Sequence, residues 1–429
     1  MREALDRTLL LMRTELVDEV TDDELMTALA STRVVIAADA GAVATHSGQS
    51  AIVAAAMNMA RSGHEVWLWF EDAAIAGPQP PLTGSTLLEG LLDVGEDLLP
   101  GWRFRQGAPD SEVDLLVVFG RTDADLPARQ KVCLNAGPWS ARLAPVEEGT
   151  GWAAGDWPIG ALAAAAGAAA EAFKAAMRKL EHRARSSVNY RMTHAPAERA
   201  DIELAPEDTG PVGNLATFDI VSAGAIANAL LFTLHRLPGA VGSGRVIDDD
   251  QSAESNLNRN ALLRRSGIGL RKVDDLAGFS KGIAIEPLGI RYGRTTEELI
   301  PLAANVLLGV DDIPSRWKVQ QNVQGWLGIG ATDRFSVQIS WHLPGLPCAG
   351  CVHPESTPTD GPIPTAAFVS FWSGLLLAVA FLRSLGASPP PASRQQIFFS
   401  PLRPESWEFA ASGVSAREDC PVCFGQGAQ

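Results

Sequence analysis

Cysteine is scarce. Five thiols in 429 residues are too few to staple a chain of this size, which excludes a disulfide scaffold of the secreted kind. Positive charge is short as well: Lys and Arg number 35 against 50 Asp and Glu, a formal net charge of −15. Such a surface repels polyanions, so nucleic acid is not an expected partner. The opening MREALDRTLLLMRTELVDEV is charged and helical in period, with no apolar core and cleavage site behind a basic start, so secretion is not expected. The most membrane-like run, Ala366 to Leu382, is interrupted by Ser370, Ser373 and Gly374 and reads as a buried helix rather than a membrane span. Also absent are GxxxxGK[ST], GxSxG and HExxH, which removes support for P-loop, serine-hydrolase and zinc-protease chemistry. What remains is a chain with 46% hydrophobic and 20% charged residues, able to build large cores and about two ordinary domains long.

The chain repeats itself. Residues from Arg33 to Asp72 run VVIAAD, a small-residue turn, SAIVAAAMNMARSG and HEVWLWFED, a strand–helix–strand order that belongs in a parallel sheet. Asp219 to Asp250 repeats the order as DIVSAG, AIANALLFTLHRLPG and SGRVIDDD. At nearly the same offset VDLLVVFGRTDA, around Leu116, is answered by NVLLGVDDIPSR, around Leu307. Two long apolar helices, from Trp157 and from Gly361, complete the correspondence, each after a proline at its start. Between the halves lies HAPAERADIELAPEDTGPVG, rich in Pro, Gly and acid. The expected division is therefore residues 1–190, a linker over 191–211, and residues 212–429. The loops from His353 and from Gly386 read as insertions within the second half.

The chemistry is concentrated in the second half. Ser222-Ala223-Gly224-Ala225-Ile226-Ala227-Asn228 is a mostly small turn at a strand-to-helix junction, where backbone can approach phosphate; small residues there also serve packing. The next strand ends in Asp248-Asp249-Asp250, where a carboxylate can accept from both ribose hydroxyls. The segment that follows carries Asn256, Asn258, Arg259 and Lys272, cations suited to a polyphosphate. Singly, each of those cations would be an ordinary helix-surface residue, and the three aspartates a solvated strand end.

Taken in order, Asp248-x-Asp250, Asn256-Leu257-Asn258-Arg259 and Ser266-Gly267-Ile268-Gly269-Leu270-Arg271-Lys272 resemble the DxD, NLxRQ and GxxK series of the ubiquitin-activating and ThiF/MoeB superfamily. Asp311, with Arg316 five residues on, is similar to that family's metal-holding strand end, although Asp312 competes for the role. Cys348-x-x-Cys351 and Cys420-x-x-Cys423 are placed like its zinc-binding pairs. The resemblance implies an α/β fold of two tandem Rossmann-like ThiF-type domains forming an internal pseudo-dimer, the first inactive and the second carrying a four-cysteine zinc site. It implies that Gly224, Asp248, Asp250, Asn256, Arg259 and Lys272 bind ATP, that Arg259, Lys272 and Asp311 act in catalysis, and that Asp311 holds Mg²⁺. The implied reaction is attack of a C-terminal carboxylate of a ubiquitin-like, β-grasp protein on the α-phosphate, mostly by orientation and charge neutralisation. A silent half of this family commonly lends an arginine to its partner's phosphates; Arg2, Arg7 and Arg13 on the N-terminal helix are the candidates.

Departures from the pattern limit the resemblance. The glycine-rich turn keeps only Gly224, which would reshape phosphate binding, and Asn260 stands where Gln follows the Arg. The first half lacks a DxD at the end of its second strand, an NLxR and a clear magnesium aspartate. Two CxxC pairs bring four thiolates to one tetrahedral zinc, a closed and therefore structural site that would tie down Asp419 to Gln429. Members that pass substrate on as a thioester carry a further cysteine after the metal aspartate, and none lies between Arg316 and Pro347. Cys133, in the apolar KVCLNAG, reads as a core residue. The expectation is a cytoplasmic adenylating enzyme of a bacterial conjugation pathway, without its own thioester, handing its product to a downstream conjugating or acceptor protein and with no membrane partner. An adenylating enzyme of peptide or sulfur-carrier biosynthesis, and a silent docking scaffold, remain alternatives.

Overall fold

The computed structural model describes the chain except for residues 18, 154, 281, 296–297, 355–360, 421 and 424–429. Half of the loop from His353 and the end of the chain thus lie outside the described residues. The first sheet contains β1 (Arg33–Ala38), β2 (Glu65–Trp69), β3 (Arg105–Gln106), β4 (Val113–Phe119), β5 (Ala128–Ala136), β6 (Ser140–Pro145) and β7 (Ala200–Glu203). The second contains β8 (Asn214–Val221), β9 (Val241–Ile247), β10 (Ile283–Leu288), β11 (Asn305–Leu308), β12 (Trp326–Asp333), β13 (Ser336–His342), β14 (Gln396–Phe399) and β15 (Ala411–Ser412).

Strand order is β3-β2-β1-β4-β5-β6-β7 in one sheet and β10-β9-β8-β11-β12-β13-β14-β15 in the other. The two sheets therefore share one path over their first six strands, parallel through β5 and β12 and antiparallel after them. The central strands are apolar without alternation, β4 being buried along its whole length, because both faces are covered. β7 lies inside the segment expected to be a linker and pairs with β6. Its Ala-Asp-Ile-Glu alternation, buried then exposed, suits a sheet edge but is too short to stand out from loop.

Four helices lie between the sheets: His46–Arg61 and Ile159–Arg178 from the first half, Ala225–Leu234 and Ala367–Leu385 from the second. Their small residues permit close approach, and at Gly374 an added Cβ would lie 2.5 Å from the Ile226 carbonyl oxygen and 2.6 Å from the Leu230 nitrogen. Phe173 and Phe368 meet across the halves with ring centroids 5.3 Å apart. Ile159–Arg178 and Ala367–Leu385 are long and apolar enough to cross a membrane, yet the apolar window is 100% buried inside the protein for one and 83% for the other. Two arginines are exchanged across this layer. Arg61 reaches carbonyls of the second half, and Arg236 reaches the Pro80 carbonyl and Gln79 Oε1 of the first.

Candidate functional site

In an open parallel sheet a crevice forms where neighbouring strands depart in opposite directions, here beyond the C-terminal ends of β8, β9 and β11. β8 ends at Val221 and the chain turns at Ser222, whose φ of 98° lies in the left-handed region. Ser222 Oγ accepts from the Gly224 N–H at 3.1 Å. Gly224 then begins the helix Ala225–Leu234 with no side-chain cap, so the N–H groups of its first turn have no intrahelical partner. Gly224, Ala225 and Ile226 line a cleft of about 480 Å³.

β9 delivers Asp248 to the opposite wall. Its carboxylate accepts from Ala223 N at 2.7 Å and Asp250 N at 2.8 Å, which fixes its direction and leaves further lone pairs on both oxygens. Asp250 is ion-paired to Lys272 at 2.6 Å and Asp249 to Arg294 at 2.8 Å. Asn256 accepts from Ala253 N at 3.0 Å. Arg259 donates to Asn258 Oδ1 at 2.9 Å and to the Ser255 carbonyl. Burial, reinforced by the nearby Arg7 and opposed by Asp6 and Asp311, lowers its pKa to about 10, still charged at neutral pH.

Helix capping distinguishes the two aspartates. Asp312 is the N-cap of helix Ile313–Asn322 and accepts from Ser315 N at 2.8 Å, as an aspartate before a helix start does. Asp311 lines the cleft. The surrounding protein raises its pKa, while Arg316, Arg259, Arg7 and Lys272 pull it back. Such a hard oxygen donor among cations that can hold phosphate suits Mg²⁺.

Of the three N-terminal arginines, Arg7 lines this cleft. Arg2 is paired with Asp22 and Asp23, and Arg13 with Asp22. The structure thus brings Gly224, Asp248, Asp250, Asn256, Arg259, Lys272 and Asp311 to one cleft. It adds residues that no motif announced: Ile247, Ile290, Tyr292 and Val319 form an apolar side, and Thr332, Thr365 and Ser370 a polar one.

The equivalent crevice of the first half is filled by its own side chains. Asp39 accepts from Ala42 N at 2.8 Å, Arg121 N at 3.0 Å and Trp152 N at 2.8 Å, and Trp152 packs over Phe119 with centroids 6.1 Å apart. A carboxylate and an indole at that position oppose a phosphate by charge and by volume.

Cys348, Cys351, Cys420 and Cys423 converge, all four Sγ within 4.8 Å of one another. A tetrahedral zinc with bonds of about 2.3 Å requires sulfurs about 3.8 Å apart; three of the pairs are 3.4, 3.7 and 3.9 Å apart. The donor set fits the metal. The cluster braces helix Ile313–Asn322 from behind: Trp317 Nε1 donates to the His353 carbonyl at 2.9 Å and Ala349 N to Gln320 Oε1 at 3.1 Å. His342 is buried behind it, contacting the Pro347 carbonyl at 2.8 Å. Cys133 is 2% exposed, and burial raises its thiol pKa, which disfavours the nucleophilic thiolate.

Parts of the chain are similar to known proteins. Residues 33–191 match the family described as the BilD N-terminal domain. The SAMP-activating enzyme E1 of Haloferax volcanii is 25% identical over 238 residues, covering 52% of this chain and 84% of that protein. These two matches point to similarity with the ThiF/MoeB-like, E1-like adenylating proteins. Solved structures with partial similarity include E. coli MccB with AMPCPP and MccA (TM-score 0.40, 16% identity, 59% of this chain and 81% of that one). PaaA is another (TM-score 0.35, 16% identity, 43% and 60%).

Proposed function

We propose that this chain adenylates the C-terminal carboxylate of a ubiquitin-like, β-grasp protein with ATP. The observation that carries the proposal is the meeting, in one cleft, of a backbone-braced Asp248, of Asn256, Arg259 and Lys272, of Asp311, and of Arg7 from the N-terminal helix. Asp248 would accept from the ribose hydroxyls. Arg259, Lys272 and Arg7 would neutralise the polyphosphate, and Asn256 would donate to it. Asp250, paired with Lys272, would hold that ammonium in place. Asp311 would hold Mg²⁺, which when bound supplies charge neutralisation between phosphates. The incoming carboxylate would attack the α-phosphorus, pyrophosphate would leave, and no protein nucleophile would be consumed.

In this proposal the two sheets form an internal pseudo-dimer, residues 1–190 being the silent partner, 191–211 the connection and 212–429 the active unit. The filled crevice at Asp39 and Trp152 supports that division of labour. The acyl adenylate passes to an external acceptor, because Cys133 is buried and the other four cysteines cluster as metal ligands. Thiolate-bound zinc suits a reducing, cytoplasmic setting, and Ala- and Arg-rich usage is in keeping with a bacterial conjugation pathway. The missing thioester cysteine equally favours a biosynthetic enzyme acting on a peptide or a sulfur carrier.

ATP/pyrophosphate exchange with candidate β-grasp proteins and peptides tests the proposal. Exchange is expected only with the cognate carboxylate and should fall by about 10²-fold or more in Asp311→Ala, the scale of losing one transition-state charge contact. Exchange that survives Asp311→Ala unchanged would remove this site from the chemistry, and a wild-type chain that binds no ATP would leave the docking scaffold.

A further inference from the structure

The segment that carries the phosphate-binding side chains has little regular structure of its own. From Leu257 to Arg264 it runs as turns and irregular backbone, so its carbonyls must find partners elsewhere. Three of them find one guanidinium. Arg61, the last residue of helix His46–Arg61 in the first half, is 1% exposed. It donates through Nη1 to the Leu257 carbonyl at 2.6 Å, and through Nη2 to those of Leu263 at 2.6 Å and Ala261 at 3.1 Å. These carbonyls bracket Arg259 on both sides.

Two further residues of the first half hold the same stretch. Thr8 Oγ1 accepts from Asn258 Nδ2 at 2.9 Å, and Asn258 Oδ1 in turn accepts from Arg259 at 2.9 Å. Asp97 accepts from Arg265 N through its carbonyl at 2.7 Å and from Ser266 N through its carboxylate at 3.0 Å. From the second half, Asn228 accepts from Leu262 N at 3.3 Å. A buried charge is a costly way to gain stability, since a packed apolar side chain would serve as well or better. A planar fork of donors, however, can impose one shape on three carbonyls at once.

We propose that Arg61 is a positioning residue of the adenylation site: by gripping the carbonyls of Leu257, Ala261 and Leu263, the first half sets the shape of the segment that presents Asn256 and Arg259 to the ATP phosphates. The proposal rests on the cleft being an ATP site. It assigns the half whose own crevice is filled a direct part in triphosphate binding. Arg236 makes the corresponding reach in the opposite direction, to Pro80 and Gln79, but that segment borders no nucleotide cleft.

The test uses the full chain carrying Arg61→Met, which keeps length and removes the donors, and Arg61→Lys, which keeps the charge but not the fork. Melting curves and circular dichroism establish folding. In Arg61→Met, affinity for MgATP is expected to fall by about tenfold or more, as for loss of a hydrogen bond to a charged group. Affinity for AMP, which lacks the outer phosphates, should change by less than about twofold on the same scale. The KM for ATP in pyrophosphate exchange should rise more than kcat falls, with partial recovery in Arg61→Lys. Amide hydrogens of residues 257–263 should exchange faster in the nucleotide-free variant. Unaltered exchange and ATP affinity, or equal weakening of ATP and AMP, overturns the proposal. If Arg61→Met does not fold, Arg61→Lys and Asp97→Asn carry the same comparison. A wild-type chain that binds no ATP would defeat the adenylation proposal and with it the role of Arg61 in phosphate binding, whereas unchanged hydrogen exchange in an ATP-binding chain would defeat the Arg61 grip alone.

Discussion

Ser222 stands at the first position of the turn after β8 with φ at 98°, where a side chain costs roughly 1–2 kcal/mol. Its hydroxyl recovers part of that by accepting from the Gly224 N–H at 3.1 Å, a bond contributing about 0.5–1.5 kcal/mol net. Ser222→Gly removes both the strain and the bond, and adds chain entropy to the unfolded state worth roughly 0.5–1 kcal/mol. These contributions nearly cancel, so the denaturation midpoint should stay within about 1 kcal/mol of wild type on this scale. Binding should not cancel. The freed Gly224 N–H faces a cleft otherwise prepared for anions, and a hydrogen bond to a charged group is worth about 1.5–3 kcal/mol. ATP affinity, measured by calorimetry in the presence of Mg²⁺, should therefore rise by about tenfold or more. Stability near wild type with unchanged or weaker ATP binding would refute the idea that the serine hydroxyl occupies a phosphate-binding amide.

Three other outcomes follow from the packing. If zinc occupies the four-cysteine cluster as proposed, chelating it should expose four of the five cysteines to a thiol reagent, with Cys133 staying unreactive in the folded chain; modification of Cys133 before unfolding would contradict its placement in the core. His235 is 3% exposed, and burial lowers its pKa to about 4. The unfolded chain, with a histidine pKa near 6.5, takes the proton first, so stability is lost as the pH falls from about 6.5 towards 4. At pH 5 this amounts to about 2 kcal/mol, and His235→Phe should flatten the difference between urea midpoints at pH 7 and pH 5 by that amount; parallel pH profiles would refute it. Gly374→Ala should cost about 1–3 kcal/mol by overpacking and raise the KM for ATP, because the displaced helix Ala225–Leu234 supplies the cleft wall at Ala225 and Ile226. A shift in stability without a shift in KM would show that the helix can slide without disturbing the turn.

What could be read from sequence was local, and what could not was donated across distance. The β8 turn, Asp248 and the following Asn256, Arg259 and Lys272 lie on one stretch of chain, so order and spacing were enough to nominate them. The choice between Asp311 and Asp312 was legible in principle: Asp312 precedes Ile-Pro-Ser, the pattern of an N-cap with proline in the first turn, and that signal would have freed Asp311 for the cleft at once. Arg61 gave no such sign. It closes an alanine-rich helix where an exposed arginine would be ordinary, and only the second half's carbonyls, nearly two hundred residues on, account for its burial. Tyr292 likewise enters the cleft because the chain after β10 folds back over β8, β9 and β11, a path with no local period. The short edge strand β7 was hidden for a related reason: pairing with β6, not its own composition, makes Ala200–Glu203 a strand. A site built between two halves of one chain is therefore only half visible in its motifs, since motifs record the residues that face the ligand and omit the ones that hold those residues still.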